Sequence, residues 1–248
     1  MASRKGLPLA VTLLLCACFT ASASASDSAR ISAVLAPERL GSATTLTFGF
    51  AISDAGRAPP ALSEIDVGYP SNLGFATSGL GVAPCPTAQL EALGQQVCPA
   101  NSRMGHGQAE VEIPIGPEVV HERVAIEVFA GPSPDGYLHV LAYVVGLFPI
   151  EAQVVLSGVL LPGHLAIVMP PIPSLPFGPY VAVSYMRLVL GGHLTYYEQV
   201  AGRNVAYHPA GVGLPRTCPH GGFPFTASFA FIDGRHSSAT TAVPCPGH

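Results

Sequence analysis

The sequence has no tryptophan, one lysine (Lys5) and only 10% charged residues. Each scarcity excludes something. In residues 26–248 nine arginines face fifteen acidic residues, a net charge of −6 with histidine neutral. Nucleic acids are bound through basic patches, so they are excluded as partners. The missing tryptophan removes the usual platform for stacking on sugars. Long hydrophobic runs are absent too. Beyond the N-terminus the longest uncharged apolar stretch is VLAYVVGLFPI at 140–150, followed by Glu151. A membrane-spanning helix needs about 20 apolar residues.

Catalytic spacings are also missing. There is no G-x-S-x-G, and the Ser-Gly pairs in TSGLG (77–81) and LSGV (156–159) read as ordinary loop sequence. His121-Glu122 lacks the second histidine of H-E-x-x-H. The histidines at His106, His121, His139, His164, His193, His208, His220 and His236 are scattered, without H-x-H spacing. GLGVAPCP and GGFPF lack the strand–GxGxxG–helix context of a phosphate loop. A glycosidase needs two carboxylates across a sugar site. Glu110 and Glu112 alternate with apolar residues and are expected at solvent, as are Glu118, Glu122 and Glu127. Tyr196 and Tyr197 are adjacent, so on a strand they face opposite sides. No catalytic residue, metal ligand or cofactor is assigned.

What is abundant is punctuation: 25 prolines and 27 glycines separate short apolar segments. That pattern predicts many strands and turns. The N-terminus is different. Arg4 and Lys5 precede the apolar LPLAVTLLLCACF, and ASASA supplies small residues for cleavage. Residues 1–25 read as a secretory signal peptide, cut after Ala25 or, as second choice, Ala23. A rival reading takes Leu15-Cys16-Ala17-Cys18 as a loose lipobox, with Cys18 lipidated and FTASASASDSA as tether. Cys16 is an unusual occupant of that motif. Export predicts a secreted, extracellular protein, and membrane attachment only if Cys18 is lipidated.

Four cysteines remain: Cys85, Cys98, Cys218 and Cys245, each followed by proline. An even number in an exported chain predicts disulfides, and four allow three pairings. The local pairing, Cys85–Cys98 and Cys218–Cys245, is expected. Zinc is disfavoured because no C-x₂₋₄-C pair occurs. Between Cys218 and Cys245, residues Phe223, Phe225, Phe229 and Phe231 share one parity, while Thr226 and Ser228 share the other. This is a strand with one buried face. Asp233-Gly234 fits a two-residue hairpin turn that would place Ile232 against Arg235 and Phe223 against Pro244. Residues 218–246 therefore read as a stapled terminal hairpin.

Other segments alternate as clearly. Leu46, Phe48, Phe50 and Ile52 share one face of TTLTFGFAIS. SEIDVGYP is a second strand. GQAEVEIPI and VVHERVAIEVF, joined by Gly116-Pro117, predict an antiparallel pair. PTAQLEALG has helical spacing, bounded by Pro86 and Gly94. YLHVLAYVV, AQVVLSGVLL, LAIVMP and YVAVSYMRLVL are apolar on both parities and predict strands covered on both faces. IVMPPIPSLPFGPY is too rich in proline for regular structure. LTYYEQVAGRNVAYHP reads as a hairpin. The expected architecture is an all-β antiparallel sandwich over 26–248, with one short helix in the Cys85–Cys98 loop.

The stretch CPANSRMGHGQAEVEIPIGPEV resembles the Cys-Pro-Ala-x-Ser-x-x-Gly-x-Gly-x-Ala signature of uncharacterised secreted β-rich proteins from high-GC actinobacteria. CPHGGFPFTASFAFIDG…TTAVPCP resembles their C-terminal ending. The resemblance covers about residues 30–248, matches at the four cysteines, and implies export and a β fold but no activity. The leading expectation is a non-catalytic structural or interaction protein of the cell envelope or exterior. The first alternative is a protein lipidated at Cys18 or binding an apolar ligand such as lipid. The second is a hydrolase with a dispersed site. The apolar stretch 137–190 carries the lipid-binding alternative: it lines a cavity if one parity of its residues stays uncovered.

Overall fold

The computed structural model describes residues 28–54, 57–76, 83–148, 150–191, 196–207 and 211–246. The signal segment 1–25, Cys18, TSGLG at 77–81, His193 and His208 lie outside the described residues. In chain order the elements are β1 (Ser28–Ala36), β2 (Ala43–Ser53), β3 (Leu62–Gly68), β4 (Gly74–Ala76), α1 (Thr87–Leu93), β5 (Arg103–Ile115) and β6 (Glu118–Ala130). They continue as β7 (Leu138–Gly146), β8 (Ala152–Leu161), β9 (His164–Val168), β10 (Ala182–Leu190), β11 (Tyr196–Val200), β12 (Arg203–Tyr207), β13 (Gly211–Gly213), β14 (Phe223–Phe231) and β15 (His236–Val243).

The all-β antiparallel class with one short helix is what the chain adopts. The strands do not divide into the two separate sheets of a sandwich. One sheet runs β15-β14-β3-β9-β8-β7-β6-β5-β10-β2-β13-β4, with β1 also paired to β2. It curls until β1 lies beside β15. Two features allow the curl. The ladders slip register between Arg103 and Gly105, Val183 and Tyr185, and Ala230 and Phe231, and such bulges bend a sheet. Gly105 and Gly107 also let β10 come close, because a Cβ at either would collide with a backbone oxygen of Val189 or Arg187. β11 and β12 form a separate hairpin, turning at Ala201-Gly202.

The expected alternations hold on the inner face. Phe223, Phe225, Phe229 and Phe231 are buried there with Leu46, Phe48, Phe50 and Ile52. Phe50 meets Phe229 edge-on, with ring centroids 5.0 Å apart. β5 pairs with β6 as expected, burying Ala109, Val111 and Ile113 against Val124, Ile126 and Val128. α1 starts after Pro86 and stops at Gly94, whose φ of 84° suits glycine. Its Leu90 is fully buried with Cys85, Phe129, Leu141 and Tyr143, so the Cys85–Cys98 loop covers the outer face of β6 and β7.

The disulfides are Cys85–Cys98 and Cys218–Cys245, with Cα–Cα distances of 4.7 and 6.0 Å. Such pairs belong to an oxidising compartment. The terminal hairpin differs from expectation by one residue: Phe223 lies opposite Val243, not Pro244. The Phe231 N–H bonds the Arg235 carbonyl across a three-residue loop, with Gly234 at φ 84°. The Asp233 carboxylate accepts the Arg235 N–H at 3.0 Å and fixes this wider turn.

Candidate apolar ligand site

The inner face of the curled sheet has two unequal halves. β2 and β14 fill theirs with phenylalanine, and β3 adds Leu62, Ile65 and Val67. β5 to β10 contribute mainly Ala109, Val111, Val124, Ala142, Val144 and Val154. Short side chains on the wall of a wide sheet do not reach the middle. A cavity of about 110 Å³ remains, lined also by Phe50, Leu62, Ile65, Leu156, Ile167, Met186 and Leu188. A second, of about 70 Å³, adjoins it towards Tyr69, Phe75, Met104, Leu165 and Phe225. Ile65, Ala142, Ile167, Met186 and Leu188 border both. Among the described residues no charged side chain borders either one.

Most of the stretch 137–190 is half-buried on both parities. On the outer face Leu141 and Tyr143 are buried beneath α1. On the inner face Val140, Ala142, Val144, Leu156, Ile167, Met186 and Leu188 are only half-buried, although they sit inside the molecule. An inner wall that keeps exposure is a wall without a filling. A dry apolar void of about 150 Å³ holds a molecule of benzene's size, so these two suit a small or narrow apolar guest.

The proline-rich segment closes one end. β9 and β10 are separated in the sheet by β8, β7, β6 and β5, so residues 169–181 must cross the end of the curl. Met169, Pro170, Pro171, Ile172 and Val181 face the larger cavity. The crossing is ordered. The Val181 N–H bonds the Ile172 carbonyl at 2.8 Å, and Ser174 Oγ donates to the Pro114 carbonyl at 2.7 Å. At its tip Phe177 is fully exposed, with φ at +63°, a backbone region that bulky residues avoid. Leu147 and Phe148, in the β7–β8 connection at the same end, are also exposed.

On β3, β5, β6, β14 and β15 the outer face is largely polar. β3, β14 and β15 present Glu64, Asp66, Thr226, Ser228, Ser238 and Thr240, and β5 and β6 present Gln108, Glu110 and Arg123. Arg123 pairs with Glu110 at 3.2 Å. On these strands the pattern is the reverse of a membrane-spanning barrel, whose apolar residues point outward. Among the described residues no helix is long and apolar enough to cross a membrane.

The buried Asp54 pairs with Arg57 and Arg235 at 3.2 and 3.5 Å, and two other meetings of polar side chains bear on chemistry. His164 Nδ1 lies 3.1 Å from Asp66 Oδ1, and Ser228 stands opposite Asp66 across the β3–β14 ladder. The carboxylate is thus the neighbour of both, whereas general-base activation of a serine needs the imidazole on the hydroxyl. On β5 and β6, Glu127 is half-buried. Burial pushes its carboxyl above the ordinary range, while Arg103 and His106 beside it pull the other way. Among the described residues no three His, Cys, Asp or Glu side chains are grouped to hold a metal.

Three of the five glutamates expected at solvent are not exposed, and Glu112 and Glu127 are half-buried. Glu110 and Glu118 are exposed, but Glu122 is buried, with 4% of its surface exposed. It shares parity with Val120, Val124, Ile126 and Val128, and so it points inward with them. No family model matches the chain, and no curated protein or solved structure matches it.

Proposed function

We propose that the protein is an exported binder of a small apolar molecule, which it holds inside the curled sheet. The observation that carries this reading is the pair of adjoining voids whose described lining is almost wholly apolar and holds no charge. Cores are normally filled to crystal-like density, and an unfilled void forfeits dispersion contacts that a guest restores. The two disulfides and the N-terminal Arg4-Lys5 and apolar run support function outside the cytoplasm. The largely polar outer face of β3, β5, β6, β14 and β15 supports a protein that carries its guest through water.

Native mass spectrometry on protein recovered from its natural source tests this. The expected species carries the mass of the mature chain plus a molecule that organic solvent releases. Bare polypeptide that also fails to take up octanol would refute the reading. The same spectra read the N-terminus: a start at Ser26 supports free secretion, and a lipid on Cys18 supports anchoring.

A further inference from the structure

We propose that Glu122, which stands beside the lining residues Val111 and Val124 but outside the apolar lining itself, is the head-group anchor for this cavity's guest, selecting an apolar chain that ends in a hydrogen-bond donor, best an ammonium group. The inference rests on the cavity reading and names its ligand class. Glu122 lies directly opposite Val111 in the β5–β6 ladder and two residues before Val124 on the same face. Both valines line the larger void. The carboxylate reaches over Gly146, the residue two beyond the void-lining Val144. A Cβ on Gly146 would lie 2.6 Å from Glu122 Oε1 and 3.1 Å from the Ile150 carbonyl oxygen. Glycine at that position leaves the space the carboxylate occupies.

Glu122 Oε1 is buried with no hydrogen-bond partner. Carboxylates are almost never buried without a donor or a counter-charge. Among the described residues beside it, Val111 and Val124 are apolar and the Ile150 carbonyl is an acceptor, so they supply neither. A guest whose chain fills the void and whose head points to the end closed by residues 169–181 brings the missing donor to this oxygen. An ammonium group meets the need best, because its bond to a carboxylate is charge-assisted. A hydroxyl donates more weakly, and a carboxylate head is repelled.

Calorimetric titration with octylamine, octanol and octanoate, on the full-length oxidised protein and on Glu122→Gln, tests the assignment. Octylamine is expected to bind roughly tenfold or more tighter than octanoate, and Glu122→Gln is expected to erase that preference while keeping octanol binding. Equal octylamine affinity in the two folded proteins would overturn the anchor and leave the cavity reading standing. Failure of all three probes would overturn the cavity reading itself. Gly146→Ala is the second variant. It displaces the carboxylate without removing its charge, and an unchanged amine preference there also counts against the anchor.

Discussion

Ala142 on β7 borders both voids and lies opposite Val128 on one side and Leu156 on the other. Replacing it by leucine adds an isopropyl group, which points into empty space if the cavity is as described. Each buried methylene contributes about 0.8 kcal/mol, so Ala142→Leu should stabilise the fold by about 1–2 kcal/mol after side-chain ordering. In a filled core the same change forces strained rotamers and costs about 1–3 kcal/mol. The sign alone therefore separates a hollow interior from a packed one. Urea unfolding with the disulfides intact reads it as a shift in midpoint at constant slope. A thermal scan should show a rise of about 2–8 °C for a chain of this size. Octanol affinity should fall in parallel, because the leucine occupies the guest's place. A variant destabilised by more than about 1 kcal/mol would refute the reasoning.

Removing the terminal staple by Cys218→Ser with Cys245→Ser opens a loop of sequence separation 27. It should cost about 3–4 kcal/mol by urea unfolding, with exchange of β15 amides rising first. Phe177 is exposed at φ +63°, where a side chain is strained and nothing is packed. Phe177→Gly should raise the melting temperature, by about 0.5–1 kcal/mol in stability, without loss of octanol binding. Glu127 has a raised folded pKa, so the native state keeps a proton the unfolded chain has released. Stability should thus fall as pH rises from the ordinary carboxylate range through the raised value. Glu127→Gln should remove that fall and be the more stable form at neutral pH, checked by melting temperatures across pH.

Local features were legible because local pattern determines them. The phenylalanine parity in β14, the β5–β6 pair with its Gly116-Pro117 turn, and α1 between Pro86 and Gly94 are all read within a dozen residues. Their placement was not. β3 pairs with β9 and β14, and β10 with β2 and β5, and no spacing along the chain encodes such distant ladders. The curl follows from those ladders and from bulges at Val183 and Ala230, which leave no sequence signature of their own. The Asp233-Gly234 turn was read one residue short, because this dipeptide serves both loop lengths. The cavity was legible only as an apolar excess in 137–190. Volume depends on which side chains face each other across the interior. Glu122 had a readable signal, since parity placed it with Val120 and Val124. The assumption that a carboxylate faces water outweighed it.

The most direct test of a hollow apolar interior needs no knowledge of the natural guest. Crystals of the oxidised protein pressurised with xenon, which settles in dry apolar cavities, should show density among Ala142, Val144, Met186 and Leu188, with the second void as a further site. Absence of xenon there, with those side chains closed into contact across the interior, would contradict the account.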